Sequence, residues 1–192
     1  MDIVNSFVDF CTSFISSGGI LFGFLLILLE SIIPALPLGV FVALNINSFG
    51  FIVGILISWC ATCTGCFISY LLFSYLSNNF IYKIFKGKMR SKLEKANTKF
   101  KNIPFSNLVV IIALPFTPAF LINIVGGMSG ISRKKFILAL LIGKIFMIFF
   151  WGYVGKSLIE SVTDIKTIII VSLMLLLAYF ISKFVSKKAN IE

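Results

Sequence analysis

Residues 49–76 contain no charged side chain. A run of that length matches the roughly 20 mostly apolar residues that carry a helix through a bilayer. Residues 20–29, 136–153 and 167–182 are also nearly free of charge. The whole chain is 59% hydrophobic and only 12% charged, with mean hydropathy +1.07. A soluble domain would be about 25% charged. The sequence therefore describes one integral membrane domain and leaves no room for a separate aqueous one. No basic n-region precedes the first apolar run, so no removable signal peptide is expected.

The net charge of +10 is concentrated between the apolar runs. Residues 83–101 hold eight lysines and arginines against Glu94, a net of seven positive charges. Apolar residues there (Ile81, Phe85, Met89, Leu93, Ala96, Phe100) recur every three or four positions, which predicts a basic amphipathic helix on the cytoplasmic surface. Arg133, Lys134 and Lys135 form a second cluster. The positive-inside rule puts both clusters in the cytoplasm, so the segment between them, 105–131, must enter the membrane and turn back. Leu114-Pro115-Phe116-Thr117-Pro118 supplies the turn.

An earlier break matches it. Pro34 and Pro37 precede Pro115 and Pro118 by the same offset of 81 residues (115 − 34 and 118 − 37). An apolar run leads into each break, and further apolar residues and a longer crossing follow. Three stretches are expected: an N-terminal interfacial or membrane helix over 1–19, a core over 20–157, and a C-terminal transmembrane helix with a basic tail over 158–192. The fold class is all-α integral membrane, an inverted repeat of two re-entrant helical hairpins (about 20–47 and 105–131) plus transmembrane helices. Glu160 and Asp164 fall in an outer loop, and Lys183, Lys187 and Lys188 mark a cytoplasmic C-terminus. Facing broken helices near mid-membrane are the architecture of many secondary transporters.

Cys60, Cys63 and Cys66 form C-x-x-C-x-x-C inside a crossing. Metal centres use similar spacing, but they recruit a fourth ligand and the chain has no histidine. Small residues that let helices approach are the expected role, and no metal or cofactor is assigned.

The stretch Leu-Pro-Phe-Thr-Pro-Ala-Phe-Leu-Ile-Asn-Ile at 114–124, followed by Gly126-Gly127 and Phe136, resembles the second hairpin of the DedA superfamily, also called the SNARE-associated Golgi protein or VTT-domain family. Glu30-x-x-x-Pro34-x-x-Pro37 resembles its first hairpin, and Gly143 and 151–155 also fit. The resemblance covers roughly 20–157. It implies two facing re-entrant hairpins and the movement of phospholipids or polyprenyl phosphates across the plasma membrane, with proton coupling. Where the family commonly carries an arginine three residues before the first proline, this chain has Ile112.

Candidate substrate or coupling residues follow from the breaks. Glu30 stands one turn before Pro34 and is too short to reach the interface from mid-depth. Lys144 lies mid-way along its crossing and is available to stand in for the absent arginine. Pro118 is expected as the first residue of a half-helix capped by Thr117, giving an anion-binding N-terminus. Pro37 is expected to begin the corresponding half-helix, and Asn123 adds polar lining or a bond between helices. The expected partners are membrane lipids with anionic headgroups, and protons, but not nucleic acid. With no histidine and one acid deep in the apolar runs, no enzyme is expected. A non-transporting membrane scaffold that maintains the envelope is the alternative.

The topology is testable with single cysteines at Lys95, Lys134 and Asp164 in a cysteine-free chain. An impermeant thiol reagent should reach the first two from the same side and the third from the other. Labelling of Lys95 and Lys134 from opposite sides would refute the turn at 114–118.

Overall fold

The computed structural model describes residues 2–33, 38–76, 87–160 and 165–188. All elements among them are helices: α1 (Asp2–Ile32), α2 (Leu38–Phe49), α3 (Phe51–Tyr75), α4 (Lys88–Lys101), α5 (Phe105–Ala113), α6 (Ala119–Met128), α7 (Arg133–Glu160) and α8 (Ile165–Lys188). Pro34, Pro37, residues 81–86 and Asp164 lie outside the described residues.

Two helices, α3 and the Arg133–Gly155 part of α7, are long and apolar enough to cross a bilayer. The apolar parts of the others are shorter, including Ser172–Ile181 in α8. The outward faces carry large apolar side chains, among them Ile52, Phe146, Leu173 and Phe180. Apolar exposure on that scale suits contact with lipid and not with water.

The helices are organised around two large apolar cores, with a smaller cluster at Ile124 and Met128. One gathers Ile27 of α1, Phe41 and Val42 of α2, Ile55 and Ala61 of α3, and Met147 and Ile148 of α7. The other gathers Cys66 and Tyr70 of α3, Leu108 and Ile111 of α5, Ile122 and Val125 of α6, and Phe136 and Leu140 of α7. As the numbering rises, α3 passes from the first core to the second and α7 from the second to the first. The two long helices are therefore antiparallel. α1 packs on α3 and α5 on α7, while α2 reaches across to α7 and α6 across to α3. The pattern departs from symmetry in the first half, where α2 packs on both α1 and α3, interfaces with no counterpart of that size between α6 and α5 or α7.

The basic flanks meet. Phe100, Ile103, Ile131 and Phe136 share the second core, the Lys135 ammonium donates to the Ile103 carbonyl, and the Tyr70 hydroxyl donates to the Ile131 carbonyl at 2.9 Å. The two ends of the segment between them therefore lie close together, and the turn from Leu114 to Thr117 interrupts it. In α4 the described side chains divide as an amphipathic helix should: Phe100 is buried, and Lys95, Lys99 and Lys101 are exposed.

The polar pair at Asn45 and Asn47, which reads in the sequence as the end of an apolar run, divides. Asn47 is exposed, but Asn45 is fully buried and donates to the Gly23 carbonyl at 3.3 Å and the Ser58 hydroxyl at 3.2 Å, joining α2 to α1 and α3. At the N-terminus, Gly19 with φ 59° breaks α1, and the Phe14 ring stacks on Phe22 across the break at 4.1 Å.

Glycines set the helix spacing. A Cβ on Gly54 would lie 2.6 Å from the Ile46 backbone, one on Gly127 2.6 Å from the Tyr70 carbonyl oxygen, and one on Gly155 2.5 Å from the Gly39 carbonyl oxygen. Gly65, inside the cysteine motif, would meet the Leu28 carbonyl oxygen at 2.8 Å. Around it Cys60 is exposed, Cys63 half-buried and Cys66 buried, and among the described residues no three potential ligands converge on a metal position. Because the opposing atoms are backbone, a side chain at these positions must push two helices apart. Gly127→Val should destabilise the purified protein by about 1–3 kcal/mol, the usual overpacking range, read as a lower thermal midpoint in nanodiscs. Thr64→Val, at an exposed position, should leave it unchanged.

Candidate functional site

The second break is built by its two prolines. Leu114 is extended (ψ 125°), as a residue before proline prefers. Pro115 takes the second position of a turn closed by the Thr117 N–H donating to the Leu114 carbonyl at 3.3 Å, the position its fixed φ suits. Pro118 then precedes α6 and does not begin it. Its ψ of 104° is extended, it occupies the cap position, and its carbonyl accepts from the Ile122 N–H at 3.3 Å. The expected Thr117 cap is therefore displaced. No side chain caps α6, and the Thr117 hydroxyl is buried with no hydrogen-bond partner.

That hydroxyl faces company. Thr117, Asn123 and Lys144 line one cleft, walled by Ile112, Ala119, Ile122 and Leu140. Asn123 is 1% exposed and Lys144 2%. The Asn123 side-chain amide nitrogen also has no partner, while the Lys144 ammonium donates to the Met147 thioether sulfur at 3.2 Å. A thioether is a weak acceptor for a group with three N–H donors. Lys144 is buried because it falls on the same stripe of α7 as Phe136, Leu140, Met147 and Ile148, midway between the two cores.

Glu30, half-buried near the C-terminal end of α1, lies within electrostatic reach of Lys144, as does Cys63. The structure thus brings together Thr117, Asn123 and Lys144 in one cleft, while Glu30 does not line it and reaches Lys144 only through its electric field. Pro115 and Pro118 shape the break without lining the cleft, and Pro34 and Pro37 fall outside the described residues. Three donors without adequate acceptors can hold an anionic oxygen-rich group, and the Glu30 carboxylate, when charged, opposes that binding. Ile112 contributes only an apolar wall, so the cation on this wall of the cleft comes from α7. In this conformation the cleft is too narrow for a water molecule.

Sequence reasoning missed Met147, whose signal is its place one turn after Lys144. It also missed Phe116, which contacts Trp151 and Tyr179 edge-to-face at 6.1 and 6.2 Å. Phe116 adjoins Thr117, but nothing in the sequence pairs it with a residue 63 positions away (179 − 116).

Comparison with known proteins agrees with the boundaries of this arrangement. The family profile described as VTT domain matches residues 33–157, which contain α2 through nearly all of α7 and leave α8 outside. The chain is 32% identical over 177 residues to the uncharacterized membrane protein YhjE of Bacillus subtilis (strain 168), covering 91% of this chain and 83% of that protein. It is 28% identical over 134 residues to the uncharacterized protein YqeD of the same organism, covering 68% of this chain and 64% of that protein. No solved structure matches the chain.

An amide buried without a partner is a cost to the empty fold, on the order of 1 kcal/mol or more. Asn123→Leu should therefore hold or raise the thermal midpoint in nanodiscs while weakening retention of anionic lipid. A clear fall in stability would show that Asn123 makes a structural bond.

Proposed function

Because this chain belongs to the VTT-domain family of membrane proteins, the DedA superfamily that its second break resembles, we propose that it is a transporter moving a phospholipid or polyprenyl phosphate across the cell membrane. The observation that carries this reading is the cleft at mid-length of α7, where Lys144, Asn123 and Thr117 present donors without adequate acceptors. A fold that only had to be stable would fill such a place with apolar side chains, since buried polar groups without partners are a penalty.

The packing supports the rest of the architecture. Antiparallel α3 and α7, with α2 reaching α7 and α6 reaching α3, are features of an inverted repeat, although α2 also packs on α3 of its own half. The meeting of the basic flanks supports a re-entrant segment at 105–131, and the positive-inside rule favours α4 and the C-terminal tail on the cytoplasmic face of a multi-pass protein. In this reading the lipid phosphate binds Lys144, which supplies the cation absent at Ile112. Glu30 takes up and releases the coupling proton, and no step is catalytic. One observation favours the alternative of a scaffold: the cleft is closed to water in this conformation. Transport therefore requires it to open.

The test is reconstitution in liposomes with headgroup-labelled lipid and a leaflet-accessibility readout across a pH series. The wild-type protein should speed equilibration between leaflets. Glu30→Gln should move lipid with no dependence on pH. Lys144→Met should weaken capture of anionic lipid roughly tenfold or more, the loss of one charged hydrogen bond. Equilibration no faster than in protein-free vesicles would leave the scaffold reading.

A further inference from the structure

The closed cleft poses a question of access that the packing of α8 answers. α8 is the least attached of the long helices, touching only α5 and α7 to any extent. Most of its described apolar side chains, including Ile169, Leu173, Leu176, Leu177, Phe180 and Ile181, are exposed. Its ring contact with the second break is made through Tyr179, which meets Phe116, and Phe116 in turn meets Trp151 of α7. Phe116 and Pro118, on either side of the buried Thr117 hydroxyl, are themselves exposed. One aromatic cluster thus adjoins the cleft next to Thr117, and one of its three members belongs to a loosely held helix.

We propose that the seam between α8 and the α5–α7 wall, lined by Phe116, Trp151 and Tyr179, is the subsite for the hydrocarbon tail of the lipid whose phosphate occupies the cleft. This rests on the transport reading and adds where the tail goes. A phosphate bound at Lys144 must leave its hydrocarbon tail in an apolar medium, and the aromatic seam lies next to the cleft's Thr117. The seam adjoins the cleft through Phe116, and α8 is held there by few contacts. Displacing Tyr179 from Phe116 opens a path from Thr117 to the bilayer while α3, α6 and α7 keep their backbone contacts. The flat rings suit the sliding passage of acyl or prenyl chains, which need no directional bonds.

Two measurements test the proposal. In the first, Phe116→Cys and Tyr179→Cys are combined in a chain whose native cysteines are replaced, and a short bifunctional thiol reagent joins them in proteoliposomes. Lipid movement should stop on cross-linking and return when a cleavable linker is cut. Movement that continues with the link closed overturns the seam and leaves transport standing. In the second, an anionic phospholipid carrying a diazirine on its tail is photolysed with wild-type protein in nanodiscs. Label should collect on peptides containing Phe116 and Tyr179 above the level at lipid-exposed Ile52, and Lys144→Met should reduce that excess severalfold. Label no denser than at Ile52, or unchanged by Lys144→Met, overturns the subsite. This readout holds whether or not lipid moves, so failure of the transport reading and failure of the seam are distinguishable.

Discussion

Helices inside a bilayer gain little by leaving lipid for one another, because the surrounding tails are as apolar as their own side chains. What holds this fold together is close contact, and it is set by glycine against backbone. Gly54 brings α3 onto α2, Gly65 brings it onto α1, Gly127 brings α6 onto α3, and Gly155 brings α7 onto α2. At each of these the next helix's main chain lies where a side chain would begin. With the backbones that close, the two cores fill with medium-sized apolar residues, and the antiparallel pair α3 and α7 becomes the frame on which both broken helices rest.

The same frame creates the site. A stripe of inward positions along α7 has to pass from one core to the other, and at the crossing point the residue is Lys144. Its neighbours across the cleft are a helix start without a side-chain cap and an asparagine whose amide has no partner. The two prolines of the break produce both the uncapped start and the buried Thr117 hydroxyl, since the backbone between them is committed to a turn. Packing strength at the glycine contacts and unmet hydrogen-bonding capacity at the waist are thus consequences of one arrangement. Rigid contact holds the donors in place, while the loosely attached α8 touches Phe116 beside Thr117.

Much of this was legible in the sequence, for physical reasons that differ from element to element. The interruption at 114–118 and the kinship of its two flanks followed from a proline break and clustered basic residues, because charge and helix-breaking act locally and leave a composition signal. Lys144 and Asn123 could be chosen because polar residues in apolar runs are expensive and few. Other features left no local trace. Whether Pro118 starts or caps α6 depends on one dihedral angle. Burial of Asn45 depends on Gly23 and Ser58, which lie on two other helices. The contact of Phe116 with Tyr179 joins the break to a helix outside the VTT match, and aromatic residues are too frequent here, with 22 phenylalanines, for any pair to stand out.

The central claim is that the unmet donors at the waist exist for a lipid phosphate, and the atom that reports on it most directly is the Asn123 side-chain nitrogen. Its NH2 resonance, assigned by Asn123→Gln and followed in nanodiscs, should shift when anionic phospholipid replaces a neutral lipid of the same chain length. The shift should saturate with lipid fraction and vanish in Lys144→Met. A resonance that stays in place through the same exchange would contradict the account.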